Sequence, residues 1–232
     1  MEAKELWKVY DTGSTQVQAL RGVDLSINAG EMVAIMGPSG CGKTTFLNCV
    51  SSLDEFTAGE VMVNGKPISE MSDKERTRMR AERLGFVFQS FNLLPVLSAV
   101  ENVELPLLMN DISPAEARVR SLSALESVGL RDRAGHLPSE LSGGEQQRVT
   151  VARAFVHEPA LILADEPTGN LDTSTSETVI ELLVDLNRSR GITFLVVTHE
   201  EEIARQCTRI ISIRDGLIVS DEKLVESADS EE

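Results

Sequence analysis

The stretch Val33-Ala34-Ile35-Met36-Gly37-Pro38-Ser39-Gly40-Cys41-Gly42-Lys43-Thr44-Thr45-Phe46-Leu47-Asn48-Cys49-Val50 decides the fold. Its apolar opening, Val33 to Met36, reads as a strand ending in a glycine loop. Lys43 then opens a helical stretch toward Val50. Strand, glycine loop, helix is the context a phosphate-binding loop needs. Glycines let backbone N–H groups turn inward around phosphates, and the helix N-terminus adds positive potential. In this pattern Lys43 reaches the β- and γ-phosphates of a nucleotide, and the Thr44 hydroxyl ligates Mg²⁺.

Outward from the loop, Leu84 to Phe88, Leu161 to Ala164 and Thr193 to Val197 are further apolar runs. Nearly continuous apolar strands suit a parallel sheet covered on both faces. The stretches around Lys4 to Tyr10, Val23 to Ile27 and Val61 to Val63 alternate more, which suits a smaller antiparallel sheet beside the parallel core. Asp215-Gly216, between two β-rich runs, reads as a hairpin turn. From Phe91 to Glu158 the pattern turns helical. Ser98 with Glu101 and Ser113 with Glu116 read as capping boxes, the second with Pro114 at the first helical position. Gly129 fits the residue just past a helix end.

Composition narrows the function. The 232 residues carry a formal charge of −15, and nucleic-acid binders usually show a basic footprint. No nucleic-acid partner is expected. Six acids against Lys223 between Asp221 and Glu232 make an acidic tail, expected to be solvated and disordered from Ser227 onward. Cys41, Cys49 and Cys207 lack metal-ligand spacing and read as reduced thiols. The start, Met1-Glu2-Ala3-Lys4-Glu5, lacks the basic-then-apolar order of a signal peptide. No apolar run approaches the roughly 20 residues that span a bilayer. A membrane role would come through a partner.

Leu161-Ile162-Leu163-Ala164-Asp165-Glu166 delivers two acids at the C-terminal end of a buried strand, where ligands bind in open α/β sheets. Asp165 would hold Mg²⁺, and Glu166 would polarise the attacking water as general base. A second glycine run, Leu141-Ser142-Gly143-Gly144-Glu145-Gln146-Gln147-Arg148, lies about a hundred residues after the phosphate loop. Together with that loop, it resembles the signature of ATP-binding cassette (ABC) ATPases.

The resemblance covers nearly the whole chain and implies the rest. The fold class is α/β: a P-loop NTPase core of ABC type with a parallel sheet, a small antiparallel β-subdomain and an inserted helical subdomain. The chain reads as one ABC ATPase domain, with the core at about 1–90 and 159–225, the helical part at about 91–158 and the acidic tail at 226–232. ATP and Mg²⁺ are the implied cofactors. ATP would contact Tyr10 through its adenine, and Gly37, Pro38, Ser39, Gly40, Cys41, Gly42, Lys43, Thr44 and Thr45 through its phosphates. Cys41 stands where the family often has serine, but its backbone N–H is what the loop needs. Gln89, after the strand Leu84 to Phe88, is similar to the family's glutamine that contacts metal and water, so the metal set is Thr44, Gln89 and Asp165. His199 is similar to the histidine that touches the γ-phosphate, so the catalytic set is Glu166, His199 and Gln89. Ser142, Gly143, Gly144 and Glu145 would close on the ATP of the opposite subunit. Asp172, in Gly169-Asn170-Leu171-Asp172, would meet that subunit. Gln147 and Arg148 would brace the signature helix.

The runs Phe86 to Pro95, Glu101 to Leu107 and Asp165 to Asp172 resemble the lipoprotein-releasing and macrolide-exporter branch, although Ser51-Ser52 stands where that branch often has glycines. The implied protein is an ATP-hydrolysing subunit that dimerises on ATP. It would drive an integral membrane permease from the cytoplasmic side of the cell membrane, docking near Gln89 to Glu104. The alternative is a cell-division or signalling ATPase that controls an extracytoplasmic enzyme without transport.

Overall fold

The computed structural model describes residues 1–11, 13, 15–63 and 65–224. The acidic tail lies outside the described residues. Among the described residues ten strands form two sheets. The larger is ordered β10 (Leu217–Lys223), β9 (Arg209–Arg214), β3 (Met32–Met36), β8 (Phe194–Val197), β7 (Leu161–Asp165) and β6 (Leu84–Phe88). Its neighbours run parallel from β9 to β6, and only β10 is antiparallel. The smaller sheet is antiparallel, ordered β2 (Gln16–Ser26), β1 (Glu2–Asp11), β4 (Ala58–Val63) and β5 (Lys66–Pro67).

Side chains alternate across a strand, and the strands β3, β7 and β8 of the larger sheet are buried on both sides. Along β3, Met32 and Ala34 face one core and Val33 and Ile35 face another. The first core packs the sheet against α3 (Ala99–Met109), α4 (Pro114–Ser127), α5 (Gly143–Phe155) and α6 (Thr173–Arg190). The second packs it against Phe46, Leu47 and Val50 of α1 (Lys43–Val50) and against Leu6, Leu20, Val23 and Val61 of the antiparallel sheet. Phe46 and Phe194, both wholly buried, contribute about 2 to 3 kcal/mol each through burial.

The helix and turn signals hold, with one exception. Glu101 accepts from the Ser98 N–H at 2.8 Å. Gly129 takes the left-handed conformation just past α4, at φ 70°. Asp215 and Gly216, at φ 50° and 75°, make the turn between β9 and β10 that matches strand twist. Ser113 accepts from the Glu116 N–H at 3.3 Å, but no return bond from Glu116 closes the expected box.

Besides the short α7 (Glu201–Ala204), two helices among the described residues went unread in the sequence. One is α2 (Asp73–Arg83), which buries only Met79 and so has no apolar period to read. It is held by a Ser72/Glu75 capping box, acids in its first turn and arginines in its last. The other is α6, capped by Asp172 and ended by Gly191. The short α7 follows β8.

Candidate active site

Because β3, β6, β7 and β8 run parallel, their C-terminal ends emerge on one side of the sheet. Among the described residues, a cleft of about 700 Å³ there is lined by Pro38, Ser39, Gly40, Gly42, Lys43, Thr44, Thr45, Gln89, Asp165, Glu166 and His199. Residues spread over about 160 positions of sequence are thus brought together by strand order alone. Gly37 and Cys41 belong to the same loop but do not line the cleft. Neither do Ser142, Gly143, Gly144 and Glu145, nor Tyr10 and Asp172.

The loop turns on glycine. Gly42 caps α1 at φ 109°, and a Cβ there would stand 2.4 Å from the Ala19 carbonyl oxygen. No side-chain hydrogen bond caps α1, so its first N–H groups have no local carboxylate or hydroxyl partner. The Lys43 ammonium is buried and donates to the carbonyls of Gly37 at 2.7 Å and Pro38 at 3.1 Å. A cation therefore sits over the loop, poised for an anion.

The Thr44 hydroxyl donates to Asp165 at 3.2 Å. Burial pushes the Asp165 carboxyl above its ordinary range, against the pull of Thr44. A hydroxyl and a desolvated carboxylate side by side, with an amide oxygen donor in Gln89, are hard oxygen ligands that fit Mg²⁺. Glu166 follows at φ 49°, a conformation L-residues rarely adopt, with its N–H bonded to the Val197 carbonyl at 2.9 Å. Its carboxylate accepts from His199 Nδ1 at 2.5 Å. A carboxylate fixed by an imidazole, at the rim of a phosphate loop, can take a proton from water while the imidazole faces the same cleft.

Gln89 is clasped twice by Asn170: its side chain donates to Asn170 Oδ1 at 3.3 Å, and Asn170 donates back to the Gln89 carbonyl at 2.9 Å. Asn170 has no role in the sequence reading; only its place between Glu166 and Asp172 hinted at one. The loop beyond Gln89 is held by polar side chains of α3 and α5. Phe91 and Asn92 both have positive φ, and Arg153 of α5 donates to their carbonyls at 3.0 and 2.7 Å. Burial lowers the Arg153 pKa. Asn102, wholly buried in α3, donates to the carbonyls of Leu94, Leu97 and Ser98 and accepts from the Leu94 N–H. The loop so held leaves Leu94 46% and Val96 82% exposed.

Ser142 caps α5. It accepts from the Glu145 N–H at 3.3 Å while the Glu145 carboxylate accepts from the Ser142 N–H at 2.8 Å. That bond lowers the Glu145 pKa, aided by Arg133. Gln147, wholly buried, donates to the carbonyls of Phe88 and Pro167, so α5 is strapped to the ends of β6 and β7. Asp172 caps α6, accepting from the Thr175 and Ser174 hydroxyls and the Thr175 N–H, which holds its carboxyl at about 2. Among the described residues no helix is long and apolar enough to cross a membrane.

Comparison with known proteins agrees with this geometry. Residues 20–169 match the model of the ABC transporter family. An uncharacterized ABC transporter ATP-binding protein of Methanocaldococcus jannaschii is 48% identical over 94% of this chain and 97% of its own. The lipoprotein-releasing system ATP-binding protein LolD of Alcanivorax borkumensis is 46% identical over 94% of this chain and 96% of its own. The ATP-binding cassette MJ0796, solved as a dimer in a post-hydrolysis state with ADP and phosphate, superposes with a TM-score of 0.88 at 45% identity, covering 97% of this chain and 98% of its own. These relatives are named for transport, and nothing in them favours the signalling alternative. The chain belongs to the ABC transporter family, as an ATP-binding, ATP-hydrolysing cassette subunit.

Proposed function

We propose that two copies of this chain close on ATP and drive an integral membrane permease of the lipoprotein-releasing and macrolide-exporter kind. The likeness to LolD supports the branch. The permease would hold the chain at the cytoplasmic face of the cell membrane. The exposed Leu94 and Val96, on a loop tied to both Gln89 and α5, are the surface offered to it.

Within the cleft, Lys43 and the backbone N–H groups of the loop from Gly37 to Thr45, Pro38 excepted, bind the phosphates. Thr44, Asp165 and Gln89 hold Mg²⁺, which when bound neutralises phosphate charge. Glu166 accepts the proton of the attacking water. His199 orients Glu166 and faces the γ-phosphate. Tyr10 contacts the base, and Asp172 meets the second copy. Ser142 to Glu145 serve the ATP of the second copy.

The observation that carries the reading is that the cleft of one chain contains the phosphate loop but none of Ser142, Gly143, Gly144 or Glu145. A second glycine-bearing helix N-terminus, capped locally only by Ser142 and Glu145, lies outside the cleft of its own chain. Complementation tests it. Lys43→Ala disables a chain's loop, and Ser142→Arg disables its signature, so either homodimer has two defective sites. A mixed dimer has one intact site, built from the loop of the Ser142→Arg chain and the signature of the Lys43→Ala chain. Mixing should restore ATP-dependent dimerisation on light scattering. If wild type pairs and the mixture does not, the shared site is wrong.

A further inference from the structure

Tyr10 lies near the end of β1 and is 38% exposed, yet its ring is held at its hydroxyl and on one face. Its O–H donates to Asp54 Oδ2 at 2.7 Å. The Lys8 ammonium stands 4.5 Å from the ring centroid and occupies one face. Lys8 is itself fixed, donating to Asp54 Oδ1 at 2.8 Å and to the Glu55 carbonyl at 2.6 Å. Its side chain is 11% exposed, and that of Asp54 32%. Asp54 sits in the turn that ends α1, where its N–H and that of Leu53 both donate to the Asn48 carbonyl.

An ion pair that only tied β1 to this turn would not need to reach an exposed ring. Here the pair takes both the hydroxyl and one face of an aromatic that remains partly exposed. A side chain already immobilised loses little entropy when a ligand stacks on it. Through Asp54, in the turn that ends α1, the same ring is tied to the helix whose first turn carries Lys43 and Thr44. We propose that Lys8 and Asp54 are positioning residues for the nucleotide base. They lock Tyr10 as a stacking platform at a set distance from the phosphate loop. The proposal rests on the reading of Tyr10 as the base contact.

Binding of a slowly hydrolysed ATP analogue and of inorganic tripolyphosphate, both by calorimetry on the full chain, separates base from phosphate. Tyr10→Ala should weaken the ATP analogue about tenfold, the usual scale of a base–aromatic stack. Tyr10→Phe keeps the ring but frees it. The double variant Lys8→Met with Asp54→Asn removes the pair without stranding a charge. Each of these two should weaken the ATP analogue about three- to fivefold. Tripolyphosphate affinity should stay within about twofold of wild type throughout, because the loop itself is untouched. If Tyr10→Ala has no effect, the base contact is wrong and the proposal falls with it. If Tyr10→Ala weakens binding while Tyr10→Phe and the double variant match wild type, Tyr10 stands and the clamp is overturned. Equal loss for both ligands in the double variant, or failure of that variant to fold while Tyr10→Phe binds as wild type, reduces the pair to a structural tie and also overturns it.

Discussion

Two helix N-termini in this molecule carry glycines and suit an anion, but they are built differently. The start of α1 has glycine at its cap, no side-chain cap and no acid in its first turn. The start of α5 has serine at its cap and Glu145 reaching back to it. The first leaves its donors and its positive potential without a local partner, with Lys43 added to them. The second already holds one carboxylate against its dipole and is complete as a helix end. The contrast teaches which end is finished by its own chain. The first turn of α1 lines the cleft with no local acid against its dipole. The α5 end keeps its shape alone, which is what the shared site proposed above asks of it.

The strongest way to sharpen this contrast is Glu166→Gln. It keeps size and hydrogen bonding but cannot accept a proton. Turnover should fall about 100-fold or more, the scale of a lost general base. The chain should then collect as an ATP-bound dimer on size-exclusion chromatography, with the two kinds of helix end meeting across one nucleotide. Near-normal turnover would remove Glu166 from its role.

A direct comparison of the two caps comes next. Gly42→Ala forces a Cβ onto φ 109° and to within 2.4 Å of the Ala19 carbonyl. It should cost more than about 2 kcal/mol in urea denaturation and abolish nucleotide binding. Ser142→Ala removes one cap bond and should cost about 1 kcal/mol. Equal losses would erase the distinction between an unfinished end and a self-sufficient one.

The smallest effect is in acid and concerns a third, wholly self-capped end, that of α6. The Asp172 carboxyl lies near 2 in the folded chain against 3.8 unfolded. A depressed folded pKa stabilises above the unfolded value and loses that contribution as pH falls through the folded one. Wild type should therefore lose this support between about pH 4 and pH 2. Asp172→Asn should show a flatter acid-unfolding profile over that window in circular dichroism. An unchanged profile would mean that the cap bonds do not depend on the charge.

The two-sided burial of β3, β7 and β8 was legible because their apolar runs are unbroken, and the site because parallel strands place their ends together. Gln89 and His199 could be singled out only by resemblance, since a lone polar residue after a strand carries no period. What sequence could not show are contacts made across the fold. Asn170 around Gln89, Gln147 under Pro167 and Lys8 against Tyr10 are pairs set by tertiary geometry. Helix α2 escaped because a helix that buries one residue is stabilised by caps and charges rather than by a hydrophobic stripe.

The four hydrogen bonds of Asn102 separate two properties that loops usually encode together. The path of the chain from Leu94 to Ser98 is dictated by a residue outside it, in the interior of α3. The outward side chains of Leu94 and Val96 take no part in those bonds. Evolution or an engineer can therefore rewrite the exposed face without rewriting the fold. On the docking proposed above, a cassette of this design would be retargeted to a new membrane partner by changing what the loop shows while its shape stays inherited.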